Sequence, residues 1–113
     1  MSNIITYQMF ENVDIRLGTI VDVEEYKQLN KPSFKLKIDF GNKIGIKKSS
    51  AQLLKHYDSK KLIGKQIAAV INFKPKQNGK FISEVLVLGF PDDQKSPVLI
   101  SPDLKLRNGV KLY

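Results

Sequence analysis

The sequence predicts an all-β domain with a short helix, in which five strands close into a small barrel framed by an N-terminal helix and a C-terminal extension. Three observations predict it. Apolar and polar residues alternate over several short runs, the period of a half-buried strand. Turn-forming residues separate these runs at short intervals. Gly18 interrupts the long first run, where a closed barrel needs a bend or bulge. An open α+β sheet fits the same element order, and the short turn spacing together with Gly18 favours the barrel.

The elements follow in order. Thr6 is placed to cap a short helix over 7–12, with Met9, Phe10 and Val13 turned inward. Residues 17–26 read as the first strand, with Leu17, Thr19, Val21 and Val23 on one face and Ile20, Asp22 and Glu24 on the other. Asn30, Lys31 and Pro32 signal a turn. Residues 34–40 form the second strand, with Phe34, Leu36, Ile38 and Phe40 inward and Lys35, Lys37 and Asp39 outward. Gly41 and Asn42 turn the chain tightly, and 43–48 return as the third strand. Ser49 and Ser50 read as the N-cap of a helix over 51–57 that sets Leu53, Leu54 and Tyr57 against the core. The apolar run 66–73 is a buried fourth strand, 75–79 a basic loop, and 81–88 the fifth strand. A last short apolar piece, 98–100, lies between Pro97 and Pro102. Three strands, a helix and two strands is the element order of the OB barrel.

At 113 residues the chain has the length of one domain, 1–113, with 42% hydrophobic residues to build a core. No apolar run reaches the roughly 18 residues of a membrane helix, and the start MSNIITYQMF lacks the pattern of a cleaved signal, so no membrane insertion is expected. The absence of cysteine excludes disulfides and thiolate metal sites and fits a reducing, cytoplasmic setting. One histidine, His56, gives no metal site, and no cofactor is expected. No catalytic constellation is present, neither a paired histidine and carboxylate nor a glycine-rich phosphate loop, so the chain is read as a non-enzyme.

The net charge is +8, and it is unevenly spread. Residues 43–80 carry ten lysines against one acid, Asp58, whereas the flanks together carry −1. Such a concentration marks either a polyanion site or a solvated basic face. Lys47, Lys48 and Ser50 fall where the third strand would end and the helix begin, so free N–H groups and two lysines would meet a phosphate there; Ser50 is alternatively a plain N-cap. Asn72 either caps a turn or bonds a base edge or ribose. Lys74, Lys76 and Lys80 flank the basic loop and would contact the backbone of such a polyanion. Either Ser83 or Glu84 faces the groove, and Glu84 has lysines or an N–H group to pair with. Asp14 and Arg16 read as an ion pair pinning the first strand, and His56 is given no role. Phe73, Phe81 and Phe90 are stacking candidates; Phe73 and Phe81 read more readily as core.

Four stretches carry a resemblance: FENVDIRLGTIVDVEEY, KIDFGNKIGIKKSSAQLLKHY, LIGKQIAAVINFKPKQNGKFISEVLVLGF and VLISPDLKLRNGVKL. Together, in this order, they resemble the tRNA-binding domain family. Within it the wording IGIKKSSAQ and SEVLVLG is most similar to the CsaA subgroup of small secretion-related chaperones. Where many members carry Ser-x-Gly-Met or Ser-x-Ala-Met, this chain has Ser83-Glu84-Val85-Leu86, a departure that fits the subgroup. The resemblance implies an OB fold and a homodimer. It points to tRNA or another structured RNA as partner, held through backbone and shape. The alternative it implies is an export chaperone that binds unfolded preproteins or peptides. The dimer interface is expected on the N-terminal helix and the tail, outside the minimal barrel, through Met9, Phe10, Val98, Leu99, Ile100, Leu104 and Leu106.

Overall fold

A computed structural model describes residues 2–26 and 32–113. Asn30 and Lys31 of the expected first turn lie outside the described residues. Thr6 caps α1 (Tyr7–Glu11) as expected, its Oγ1 accepting the Met9 N–H at 3.1 Å. The sheet is built on β1 (Ile15–Tyr26), β2 (Ser33–Asp39), β3 (Ile46–Ala51), β4 (Gln66–Val70) and β7 (Leu86–Val87), all antiparallel in the order β3-β2-β1-β4-β7. A hairpin of β5 (Lys76–Asn78) and β6 (Phe81–Ser83) projects between β4 and β7. A second hairpin, β8 (Gly89–Pro91) with β9 (Pro97–Leu99), follows. Strand far outweighs helix, and the five-stranded sheet curls into an OB-type half-barrel.

β1 is long because it serves two neighbours. Its first half pairs with β4, from Ile15 opposite Val70 to Thr19 opposite Gln66, and its second half pairs with β2. A register shift between Ile20 and Asp22 separates the halves. This bulge changes the phase of the strand and corrects the expected faces: Ile20 is fully buried, and Val21 is 43% exposed. Gly18 serves close packing beside it, since a Cβ there would come within 2.5 Å of Ile38 Cγ2 and 2.8 Å of the Phe40 ring.

The second strand behaves as its alternation requires. Phe34, Leu36, Ile38 and Phe40 are all buried, and with Ile20, Leu53, Leu62, Ile67, Ala69, Val85 and Leu99 they form the core. The turn after β2 is wider than a two-residue hairpin. It spans 41–45, with Gly41 and Gly45 at φ +90° and +87° and the Gly45 N–H donating to Gly41 O at 2.7 Å.

The helix expected over 51–57 is not formed. Ser49, Ser50 and Ala51 belong to β3, and 54–56 are a turn closed by the Tyr57 N–H on Leu53 O at 3.1 Å. The helix stands later, as α2 (Ser59–Leu62), capped by Asp58, which accepts the Lys61 N–H. Leu53 still fills the core. The fifth strand is likewise split into β6 and β7 by Glu84 and Val85. The loop expected over 75–79 contains β5, and the fourth strand ends at Val70.

The tail extends the sheet. Arg16 bridges to Lys111, Leu17 and Val110 share a backbone bond of 3.1 Å, and Gly109 N–H donates to Leu17 O at 2.7 Å. Thr19 and Gln66 both donate to Asn108 Oδ1, at 2.7 and 3.2 Å. Leu99 is 9% exposed and packs into the core, which corrects its assignment to a dimer interface.

Candidate nucleic-acid interface

The barrel closes where β3 meets the break between β6 and β7. The Glu84 N–H donates to Lys48 O at 2.8 Å, and Glu84 Oε1 accepts the Lys48 N–H at 3.0 Å. A carboxylate thus completes a ladder that lacks a strand partner. Ser49 Oγ donates to Val85 O at 2.9 Å from the buried side. Ser83 Oγ accepts the Ser50 N–H at 3.3 Å, and Ser50 Oγ accepts from Asn78 Nδ2 at 2.9 Å. These bonds fix the wall of a cleft of about 600 Å³.

The cleft brings together Ser50, Lys74, Lys76, Ser83 and Glu84 of the expected site. Both Ser83 and Glu84 line it, so the alternative between them dissolves. Lys47, Lys48, Asn72 and Lys80 are not part of its lining. Lys47 lies opposite Ile38 at the far end of β3. Since Lys47, Lys48 and Ser50 sit in a strand, no helix N-terminus stands behind them, which corrects that part of the expectation. Asn72 is spent on structure: Oδ1 accepts the Asp14 N–H at 3.0 Å, and Nδ2 donates to Asn12 O at 2.8 Å. Its turn-capping role is the one the geometry carries. Asp14 and Arg16 form the expected pair at 2.7 Å.

Three residues belong here that sequence reading placed in the core or passed over. Phe73 lines the cleft at 56% exposure, which corrects its reading as core. Leu86 adds a second exposed apolar side chain. Beside the cleft, the Lys35 ammonium lies 4.4 Å from the Tyr26 ring centroid and 5.5 Å from that of Phe81, with Lys48 Nζ 5.6 Å from Phe81. The two rings stand 5.9 Å apart. Tyr26 also holds the hairpin, since its hydroxyl donates to Asn78 O and accepts the Lys80 N–H, both at 3.2 Å. The sequence signal for Lys35 was the outward alternation of β2.

The site therefore combines lysines, neutral donors and an exposed aromatic ring, the equipment for a phosphate backbone and an unpaired base. Among the described residues no group of three histidine, cysteine or carboxylate side chains is placed to hold a metal.

The family model of the tRNA binding domain matches residues 15–111. The chain belongs to that family. Among solved structures, the chaperone CsaA from Bacillus anthracis superposes with a TM-score of 0.92 at 43% identity, over 98% of this chain and all of the other. The CsaA chaperone protein from Picrophilus torridus gives 0.90 at 47% identity, over 97% of this chain and all of the other. Among curated proteins, the methionine–tRNA ligase of Nanoarchaeum equitans is 33% identical over 96% of this chain. The chain spans only 14% of that ligase's length, so the likeness is to one tRNA-binding module within it. In this tRNA-binding domain the family match covers the strands that build the cleft and nearly all of the tail that braces β1.

Proposed function

We propose that this chain is a non-catalytic, homodimeric tRNA-binding protein of the cytoplasm that holds tRNA or a similar structured RNA through its lysine-bearing cleft. The observation that carries this reading is the convergence of Lys74, Lys76, Ser50, Ser83 and the exposed Phe73 on one recess of about 600 Å³. Lysines at the rim suit phosphates, and the serine hydroxyls suit phosphate or ribose oxygens. Lys35 and Lys48 beside Phe81 extend the positive surface along β2 and β3. A dimer would present two such clefts and hold one folded RNA by avidity.

The second reading is an export chaperone that holds unfolded preproteins. Phe73, Val85 and Leu86 give the cleft an apolar side, and two of the similar solved structures are chaperones. One groove with an apolar floor and a basic rim suits an amphipathic extended peptide as well.

Changing Lys74, Lys76 and Lys80 together to Glu tests the first reading. Loss of tRNA binding with an unchanged circular dichroism spectrum supports it. Retained tRNA binding removes the cleft as the site.

A further inference from the structure

A second basic recess lies at the other end of β3. It measures about 780 Å³ and sits between the 41–45 turn and the tail. Arg16, Lys43, Arg107 and Lys111 line it, and no carboxylate does. Two of these cations are positioned by the protein itself. Arg16 donates from Nε to Asp14 at 2.7 Å and from Nη1 to Gly109 O at 2.9 Å, which leaves Nη2 without an acceptor among the described residues. Lys111 Nζ donates to Glu11 O at 3.3 Å. Lys43 and Arg107 form no ion pair among the described residues.

The walls are preformed. Gly109 lies so close to β2 that a Cβ there would stand 2.5 Å from Phe40 O, and one on Gly41 would stand 3.0 Å from Asn108 O. Both glycines have φ +90°. The turn and the tail are therefore locked together, with Asn108 tied to Thr19. A rigid concave surface with four cations, only Arg16 of them paired with a carboxylate (Asp14), favours a phosphate oxyanion, and a guanidinium such as that of Arg107 presents a planar fork that matches phosphate geometry.

We infer that this recess is a second phosphate-binding site, which takes a backbone phosphate of the same RNA that occupies the cleft. The inference rests on the RNA reading of the cleft. The six residues of β3 separate the two sites by about 20 Å. That spacing lets one RNA strand or helix edge run from Lys74 and Lys76 past Lys48 and Lys37 to Lys43 and Arg107.

The test uses the full chain and the double variant Lys43→Ala/Arg107→Ala. With pyrophosphate as probe, amide shifts at Lys43 and Gly109 are expected in the parent chain and not in the variant; no shift in the parent overturns the site. With tRNA, the log–log salt slope of the variant should be shallower by about 0.7 to 0.9, from one lost phosphate contact. An unchanged slope overturns the RNA assignment of the recess while leaving the cleft reading intact. An unchanged slope with loss of polyglutamate binding assigns the recess to an acidic peptide, and also overturns the inference. If the Lys74, Lys76 and Lys80 variant keeps tRNA binding while the Lys43/Arg107 slope falls, the cleft reading fails and the path shared by the two sites is overturned with it, although the recess itself still contacts RNA.

Discussion

Glu84 and Lys48 bond each other twice, once through the Glu84 backbone N–H and once through its carboxylate on the Lys48 N–H. This reciprocal pair is the seam of the barrel, and the cleft depends on it. Replacing Glu84 by Ala removes an ionised acceptor from a half-buried amide, which should cost about 1–3 kcal/mol in urea unfolding. Glu84→Gln keeps an acceptor oxygen and should cost less. Equal losses from the two variants would show that the bond does not hold the seam.

The tail is locked to β2 through Gly109. Gly109→Ala meets both a left-handed backbone angle and the Phe40 carbonyl. The conformational cost alone is about 1–2 kcal/mol, and the clash adds to it. The measurement is hydrogen exchange at Leu17 and Leu112, whose N–H groups donate across this contact; faster exchange there, ahead of the β2 amides, is the expected result.

Acid should loosen the β8–β9 hairpin. Asp92 accepts the backbone N–H groups of Ser96 and Gln94 and pairs with His56 at 2.7 Å and Lys55 at 3.4 Å. The Ser96 bond first, then His56, holds its carboxyl well below the ordinary value of 3.8. A carboxylate depressed on folding stabilises the fold above its unfolded pKa and loses that contribution as pH falls below it. The Asp92→Asn variant should therefore differ from the parent in thermal melting at pH 6 and converge with it in strong acid. A constant difference across that range would contradict the assignment.

Leu99 and Leu104 separate core from surface in the tail. Leu99 packs in the core and Leu104 is 71% exposed. Leu99→Glu should unfold the chain, whereas Leu104→Glu together with Leu106→Glu should leave it folded and, on the dimer reading, monomeric. Sedimentation velocity reads the outcome; a dimer that survives the double change places its interface elsewhere.

Much of the fold was legible because β2 alternates from Phe34 onward, and its buried face organises the core. What misled was local pattern. Ser49 and Ser50 followed by Leu53, Leu54 and Tyr57 look like a capped helix, yet the Ser49 hydroxyl is needed on Val85 O across the seam, and the apolar spacing belongs to a single turn. A bulge at Ile20–Asp22 leaves no mark in composition and reverses the faces beyond it. The site suffered from register. A tight turn at Gly41 and Asn42 would set Lys35 opposite Lys48, whereas the observed connection, two residues longer, sets it opposite Ser50, beside Phe81. The loop lysines Lys74 and Lys76 needed no register, and both line the cleft, whereas Lys80, grouped with them in sequence, does not.

The central claim is that the cleft holds RNA, and a salt titration of tRNA binding with an unfolded preprotein as competitor tests it most directly. The account predicts tight binding that weakens with a log–log slope of about −0.7 to −0.9 per phosphate contacted, and that the preprotein does not displace. Weak, salt-insensitive tRNA binding beside strong capture of the preprotein would contradict it and make the lysines the rim of a peptide groove.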